Sequence, residues 1–310
     1  KLKNDNDIDY KPEQIIISNG AKHSLMNVFM AILNEGDEVI IPAPYWLSYS
    51  EMVKIAGGVP VIVYTQKENN FMMTKQQMMD AYTPKTKALV LTSPSNPTGM
   101  VSTIEDLKII AEFAIEKDIF VISDEIYEKL IYEQNKKHIS IASLGQEIYD
   151  RTIVINGVSK SYAMTGWRIG FTATPLAIAK LVSALQSHMT SNPNSIAQKA
   201  TVAALNGSQQ CVEDMCQEFK KRRDYIFERE EQIPYIHALK PEGAFYLFVD
   251  VSDTYGKKVE GKKIQSAADF AKLLLEKEYV AVVPCADFGM TDYIRLSYAT
   301  SMELIKKGMD

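Results

Sequence analysis

Apolar residues recur along this chain in two alternating rhythms. Short runs dense in Ile and Val, namely Ile15-Ile16-Ile17, Glu38-Val39-Ile40-Ile41, Val59-Pro60-Val61-Ile62-Val63, Ala88-Leu89-Val90-Leu91, Ile119–Tyr127 and Ile153-Val154-Ile155, read as buried strands. Between them the apolar positions fall at helical spacing, as with Leu25, Val28, Phe29 and Ile32 after the turn Ser18-Asn19-Gly20. Met72–Tyr82 reads as a short helix, and Thr103–Lys117 as a longer one opened by the capping pattern Ser102-Thr103-Ile104-Glu105. Pro42 and Pro44 are expected to stop the second strand and to set Tyr45 and Trp46 in a loop. Helices at Pro175–Gln186 and Ser195–Leu205 precede a long charged one, Gln209–Glu231, with Phe219, Tyr225 and Phe227 on its apolar side.

Beyond that helix the rhythm changes to strands at Gly243–Val249, Val280–Pro284 and Tyr293–Tyr298 with one main helix, Ser266–Lys277. The expected architecture is α/β: a large domain at 1–208 with a mostly parallel central sheet flanked by helices, then an interdomain helix and a smaller α+β domain at 209–310. Lys1–Lys11 is polar and charged, and is expected to be a flexible approach or a cut end rather than a first structural layer.

Composition removes several function classes. The 310 residues are 46% hydrophobic and 24% charged, enough apolar material for a large core. A net charge of −5 leaves no basic footprint for nucleic acid, and no apolar run is long enough to span a bilayer. Cys211, Cys216 and Cys285 make no disulfide framework, and His23, His138, His188 and His237 lack ligand spacing, so no metal is expected and a cytoplasmic location is.

Four polar groups stand where apolar neighbours make them costly. Lys160 lies in a small-residue loop between Ile153–Ile155 and Ile169–Phe171, with Arg168 eight residues on. Most lysines are solvated surface charges, but an amine in a loop at the sheet edge, where ligands collect, can lose its proton by desolvation and attack a carbonyl. Asp124 ends a buried run and needs a cationic partner, either a Lys or Arg or a protonated ring nitrogen. Arg295 sits inside a strand and needs a carboxylate. Asn96, held between Pro94 and Pro97 at a strand's end, has its amide poised toward a ligand. The turn at Ser18–Lys22 is either a plain helix cap or an anion site.

Ser159-Lys160 with Met164-Thr165-Gly166-Trp167-Arg168-Ile169-Gly170, together with Asn96-Pro97-Thr98-Gly99 and Arg295-Leu296-Ser297-Tyr298-Ala299, resembles the fold-type I, class I aminotransferases. The likeness covers essentially the whole chain and is nearest to the bacterial aspartate and prephenate aminotransferase subgroup. It implies pyridoxal 5′-phosphate (PLP) as cofactor, ping-pong amino transfer between an amino acid and a 2-oxo acid, and a homodimer. By the resemblance Lys160 holds PLP as the internal aldimine and shuttles protons, Asp124 pairs with the pyridine nitrogen, and Asn96 and Tyr127 donate to the phenolic oxygen. Arg168 and the Ala21-Lys22 main chain take the phosphate, Trp46 lies against the ring, and Arg295 takes the substrate α-carboxylate. Lys22 also reaches the distal carboxylate of acidic substrates, which are therefore the expected donors. Some relatives carry a phosphate-binding serine where Gly157 stands, so Ser159 is expected to take over part of that contact. A carbon–sulfur β-lyase of the same fold and a catalytically silent relative are the alternatives. Family members usually begin several dozen residues before the equivalent of Ile15 and end in a further helix, so this chain is expected to be short at both ends.

Overall fold

The structure, a computed structural model, describes residues 1–133 and 135–310. The β-branched runs form one seven-stranded sheet of β1 (Ile15–Ser18), β2 (Glu38–Ala43), β3 (Val59–Tyr64), β4 (Thr86–Thr92), β5 (Phe120–Asp124), β6 (Thr152–Gly157) and β7 (Gly170–Ala173), in the order β1-β7-β6-β5-β4-β2-β3. Only β7 runs against the others. Helices α1 (Leu2–Asn6), α2 (Ala21–Ile32), α3 (Ser48–Ile55), α4 (Lys75–Ala81), α5 (Ile104–Lys117), α6 (Gln146–Tyr149), α7 (Leu176–Met189) and α8 (Ser195–Asn206) accompany it.

Successive strand residues point to opposite faces, and this divides the core. Val39, Ile41, Ala88, Val90, Ile122, Ile153 and Ile155 pack with Leu25, Val28 and Phe29 of α2 and with residues of α3 and α7. Their alternates Ile40, Leu89, Leu91 and Val121 pack with Leu107, Ile110 and Phe113 of α5 and with Met78 of α4. Both faces are covered, which is why these strands read as continuous apolar runs rather than as an alternation. Each fully buried side chain contributes roughly 1.5–3 kcal/mol.

The smaller sheet follows α9 (Gln210–Glu230). It contains β8 (His237–Ala238), β9 (Tyr246–Asp250), β12 (Val283–Pro284) and β13 (Tyr293–Ser297) in the order β12-β13-β9-β8, with β10 (Lys258–Val259) and β11 (Lys262–Lys263) as a separate hairpin. Helices α10 (Ala267–Glu278) and α11 (Met302–Met309) complete this half. Among the described residues no helix is long and apolar enough to cross a membrane.

Several expectations are corrected. Lys1–Lys11 is not a flexible approach: Leu2 and Ile8 are buried against Val154, Phe171 and Ala173, Asn6 Nδ2 donates to Glu128 Oε2 at 2.7 Å, and Lys1 pairs with Glu128. Pro42 does not stop β2, which continues to Ala43; past Ile40 the strand pairs only with β3, so the missing N–H breaks no bond to β4. The short helix begins at Lys75, capped by Thr74 whose hydroxyl accepts from Gln77 N, rather than at Met72. The box opening α5 is Thr103 with Asp106, one residue beyond the expected pair, because Ser102 N donates to Ser93 Oγ. β9 starts at Tyr246 because the residues before it bond elsewhere: Gly243 N donates to Gly99 O at 2.8 Å, Ala244 N donates to Leu130 O at 3.0 Å, and Gly243 bridges Ile131. The buried side of α9 is Val212, Phe219, Arg223, Ile226 and Glu230, with Tyr225 and Phe227 only partly covered.

Candidate active site

The parallel strands deliver their carboxyl ends to one place, and the small sheet closes over it. β1 runs into the first turn of α2 with Ala21 and Lys22, β2 into the loop of Trp46, and β4 into Thr92 and Asn96. Asp124 ends β5, with Ile126 and Tyr127 in the following turn, and β6 leads to Ser159 and Lys160. Arg168 precedes β7, whereas Tyr246 and Arg295 come from β9 and β13. All ten residues singled out in the sequence line this single cavity of about 320 Å³. The lysine loop joins β6 to β7, both interior to the sheet, so it lies at the strands' ends and not at a lateral edge.

Asp124 meets only two donors, Tyr49 Oη at 2.6 Å and Ile126 N at 3.2 Å, with no Lys or Arg paired to it among the described residues. Burial pushes its carboxyl up to about 6, despite those hydrogen bonds and the Lys160 charge. Tyr49 in turn is fully buried and contacts Thr92 Oγ1 at 2.8 Å. Lys160 is half-buried, and its pKa is lowered first by burial and then by the positive Arg168 and Arg295. Its Nζ lies 5.2 Å from the centre of the Phe245 ring and 5.7 Å from that of Tyr127. Such an amine is easier to deprotonate than a surface lysine.

Arg295 stacks on Tyr246 at 4.3 Å and Phe288 at 4.9 Å, and its Nη1 donates to Asn96 Oδ1 at 2.7 Å. No carboxylate meets it among the described residues, and its buried Nε has no partner. Asn96, buried, spends its oxygen on Arg295 and keeps its amide hydrogens as donors. Tyr127 Oη contacts Tyr246 Oη at 2.9 Å, and burial holds both phenols above their usual range.

The end of the cavity near Arg168 is built largely from backbone. Ala21 and Lys22 open α2, where N–H groups have no intrahelical partner. Arg168, at φ 55, donates to Thr165 O and Asn19 O and lies so close to Gly20 that an added Cβ would stand 2.3 Å from its Nη2. Lys22 Nζ lies 4.8 Å from the Trp46 ring centre. At Gly157 a Cβ would stand 2.8 Å from Ile169 O, so a serine is excluded there; Ser159 lines the cavity two residues later.

Tyr49, Thr92, Ile126, Thr165 and Tyr246 complete the lining and were not legible in advance. Asp124's need for a partner was the one available signal, and it pointed to a cation rather than to a phenol. Behind the site Glu125, Glu128 and His138 approach one another within 4.8 Å, with His138 Nε2 at 2.9 Å from Glu125 Oε2 and Glu128 taken by Lys1 and Asn6.

Comparison with known proteins agrees with this geometry. A family model described as aminotransferase class I and II matches residues 1–310. An aspartate aminotransferase of Bacillus sp. (strain YM-2) is 49% identical over 310 residues, covering 100% of this chain and 78% of the relative. A probable aspartate/prephenate aminotransferase of Rickettsia bellii is 45% identical over 309 residues, 99% of this chain and 77% of the relative. The crystal structure of an aspartate aminotransferase from Rhizobium meliloti superposes with a TM-score of 0.96 at 38% identity, covering 99% of this chain and 77% of that one. With a match along its entire length, the chain belongs to the class I and II aminotransferases, enzymes that transfer an amino group between an amino acid and a 2-oxo acid.

Proposed function

We propose that the cavity holds PLP and that the chain transaminates acidic amino acids of the aspartate and glutamate kind against 2-oxo acids, as a homodimer. The observation that carries the reading is the presence in one cavity of an amine with a lowered pKa, Lys160, and a buried carboxylate, Asp124, that is paired with no Lys or Arg among the described residues. Bound PLP supplies a carbonyl for the amine and an electron sink for the charge left when the substrate loses its Cα proton.

The residues fit that group. Asp124 is an anion awaiting a positive partner, and a protonated ring nitrogen is one; there it holds the proton that keeps the ring cationic. Ala21 and Lys22 N–H, Arg168 and Ser159 form an anion cradle for the phosphate, and the bare Cα of Gly20 lets Arg168 close over it. Trp46 covers a ring face, while the Asn96 amide and the Tyr127 hydroxyl supply donors to the phenolic oxygen. Lys160 Nζ, its pKa lowered by burial and by the neighbouring Arg168 and Arg295, would take the Cα proton and return it. Arg295, its Nη1 shared with Asn96, would donate to the substrate α-carboxylate from the part of its guanidinium that faces the cavity.

Lys22 carries the substrate preference. Its ammonium reaches the same cavity as Arg295, so a diacid has a cation for each end. Adding candidate amino acids to the PLP-loaded protein should bleach the visible band at far lower aspartate or glutamate than alanine. Lys22→Met should raise KM for the acidic donors roughly ten-fold or more, with little change for alanine. Equal losses on all donors would assign Lys22 to the phosphate alone.

A further inference from the structure

Tyr246 belongs to none of the sequence motifs, yet it touches two groups of the site at once. Its ring is the platform of Arg295: the guanidinium carbon lies 4.3 Å from the Tyr246 ring centre and 4.9 Å from that of Phe288, so the cation is flanked by two aromatic rings. Its hydroxyl meets the Tyr127 hydroxyl at 2.9 Å. Both contacts are buried, Tyr246 being 7% exposed and Tyr127 3%. Tyr246 and Arg295 sit on adjacent strands of the small sheet, β9 and β13, whereas Tyr127 follows β5 of the large one. One side chain therefore links the carboxylate-binding cation of one sheet to a hydrogen-bond donor of the other.

We propose that Tyr246 is a positioning residue that acts through both neighbours: its ring fixes the plane of Arg295, and its hydroxyl donates to Tyr127 so that the Tyr127 proton is left to face the cavity. The inference rests on the functional reading above.

The division of labour follows from the chemistry of each contact. A guanidinium stacked on a ring face keeps its edge free, and two atoms of that edge are what a carboxylate needs. Here Nη1 donates to Asn96 and Nε is enclosed without a partner among the described residues, so the stacking decides how the rest of the guanidinium faces the cavity. In the phenol pair only one of two protons lies between the oxygens. The positive charge over its ring makes Tyr246 the stronger donor, which leaves Tyr127 its own proton and makes it a better donor in turn.

Two variants separate the roles. Tyr246→Phe keeps the ring and deletes the hydroxyl, whereas Tyr246→Leu deletes both. In the PLP-loaded protein, Tyr246→Phe should move the pH midpoint of the visible absorption band upward by about 0.5 to 1 unit. Calorimetric affinity for succinate, an unreactive dicarboxylate, should stay within about two-fold of the parent protein in that variant. Tyr246→Leu should weaken succinate roughly ten-fold and raise KM for the amino donor in the same proportion. A pH midpoint unmoved by Tyr246→Phe, or succinate affinity retained in Tyr246→Leu, overturns the inference while leaving the aminotransferase reading intact. A parent protein that develops no visible band with PLP overturns both.

Discussion

Asp124 is only 4% exposed, and its carboxylate is held by the Tyr49 hydroxyl and one main-chain N–H. Burial is the largest cause of its raised pKa, from 3.8 to about 6, and the two hydrogen bonds and Lys160 offset only part of it. The folded protein without cofactor thus binds this proton more tightly than the unfolded chain does. Stability from this group is fully present below pH 3.8 and is lost as pH rises through about 6, by roughly 3 kcal/mol at most. Such a cost is tolerated where a cation is to arrive. Asp124→Asn should therefore raise the melting temperature of the cofactor-free protein at pH 7.5 and leave it nearly unchanged at pH 4. In the same variant Cα-proton abstraction should slow by at least ~100-fold in single-turnover kinetics, because the fixed charge facing the ring is gone. A variant that is neither more stable without cofactor nor slower with it would remove Asp124 from this role.

At the level of elements, the site depends on how closely β7 approaches the turn between β1 and α2. At Gly170 an added Cβ would stand 2.3 Å from Ala21 N and 2.5 Å from Gly20 C, and backbone atoms have no room to yield. Gly170→Ala should cost roughly 1–3 kcal/mol by denaturant unfolding and should weaken PLP binding by displacing Ala21 and Lys22. Unchanged PLP affinity would show that this turn is not the phosphate cradle. The long helices and apolar strands were legible because both faces of the large sheet are buried and leave continuous runs. The short strands of the small sheet were not: at β12 only Val283 and Pro284 pair with β13, although the apolar pattern begins at Val280. The docking of α1 was missed because it rests on two apolar residues, Leu2 and Ile8, among charges. Residues with motif neighbours, such as Lys160, Arg168 and Asn96, could be named from the chain alone. Tyr49 could not, since its contact with Asp124 arises only after β2 and β5 are brought to either side of β4.

For the whole molecule, the two sheets contribute opposite ends of one cavity. The large sheet supplies Lys160, Asp124, Ala21, Lys22 and Arg168, and the small one supplies Arg295 on its aromatic support. The homodimer proposed above has a direct test in its mass. Sedimentation of the PLP-loaded protein should give twice the chain mass, and a stable monomer that retains PLP would contradict the assembly. The central claim is that one amine of this chain, Lys160, forms the covalent link to the cofactor. Borohydride reduction of the PLP-loaded protein followed by peptide mass analysis tests it most directly. A single pyridoxyl group is expected on the peptide containing Lys160, lost in Lys160→Ala; a label on Lys22, or on no lysine at all, would contradict the assignment.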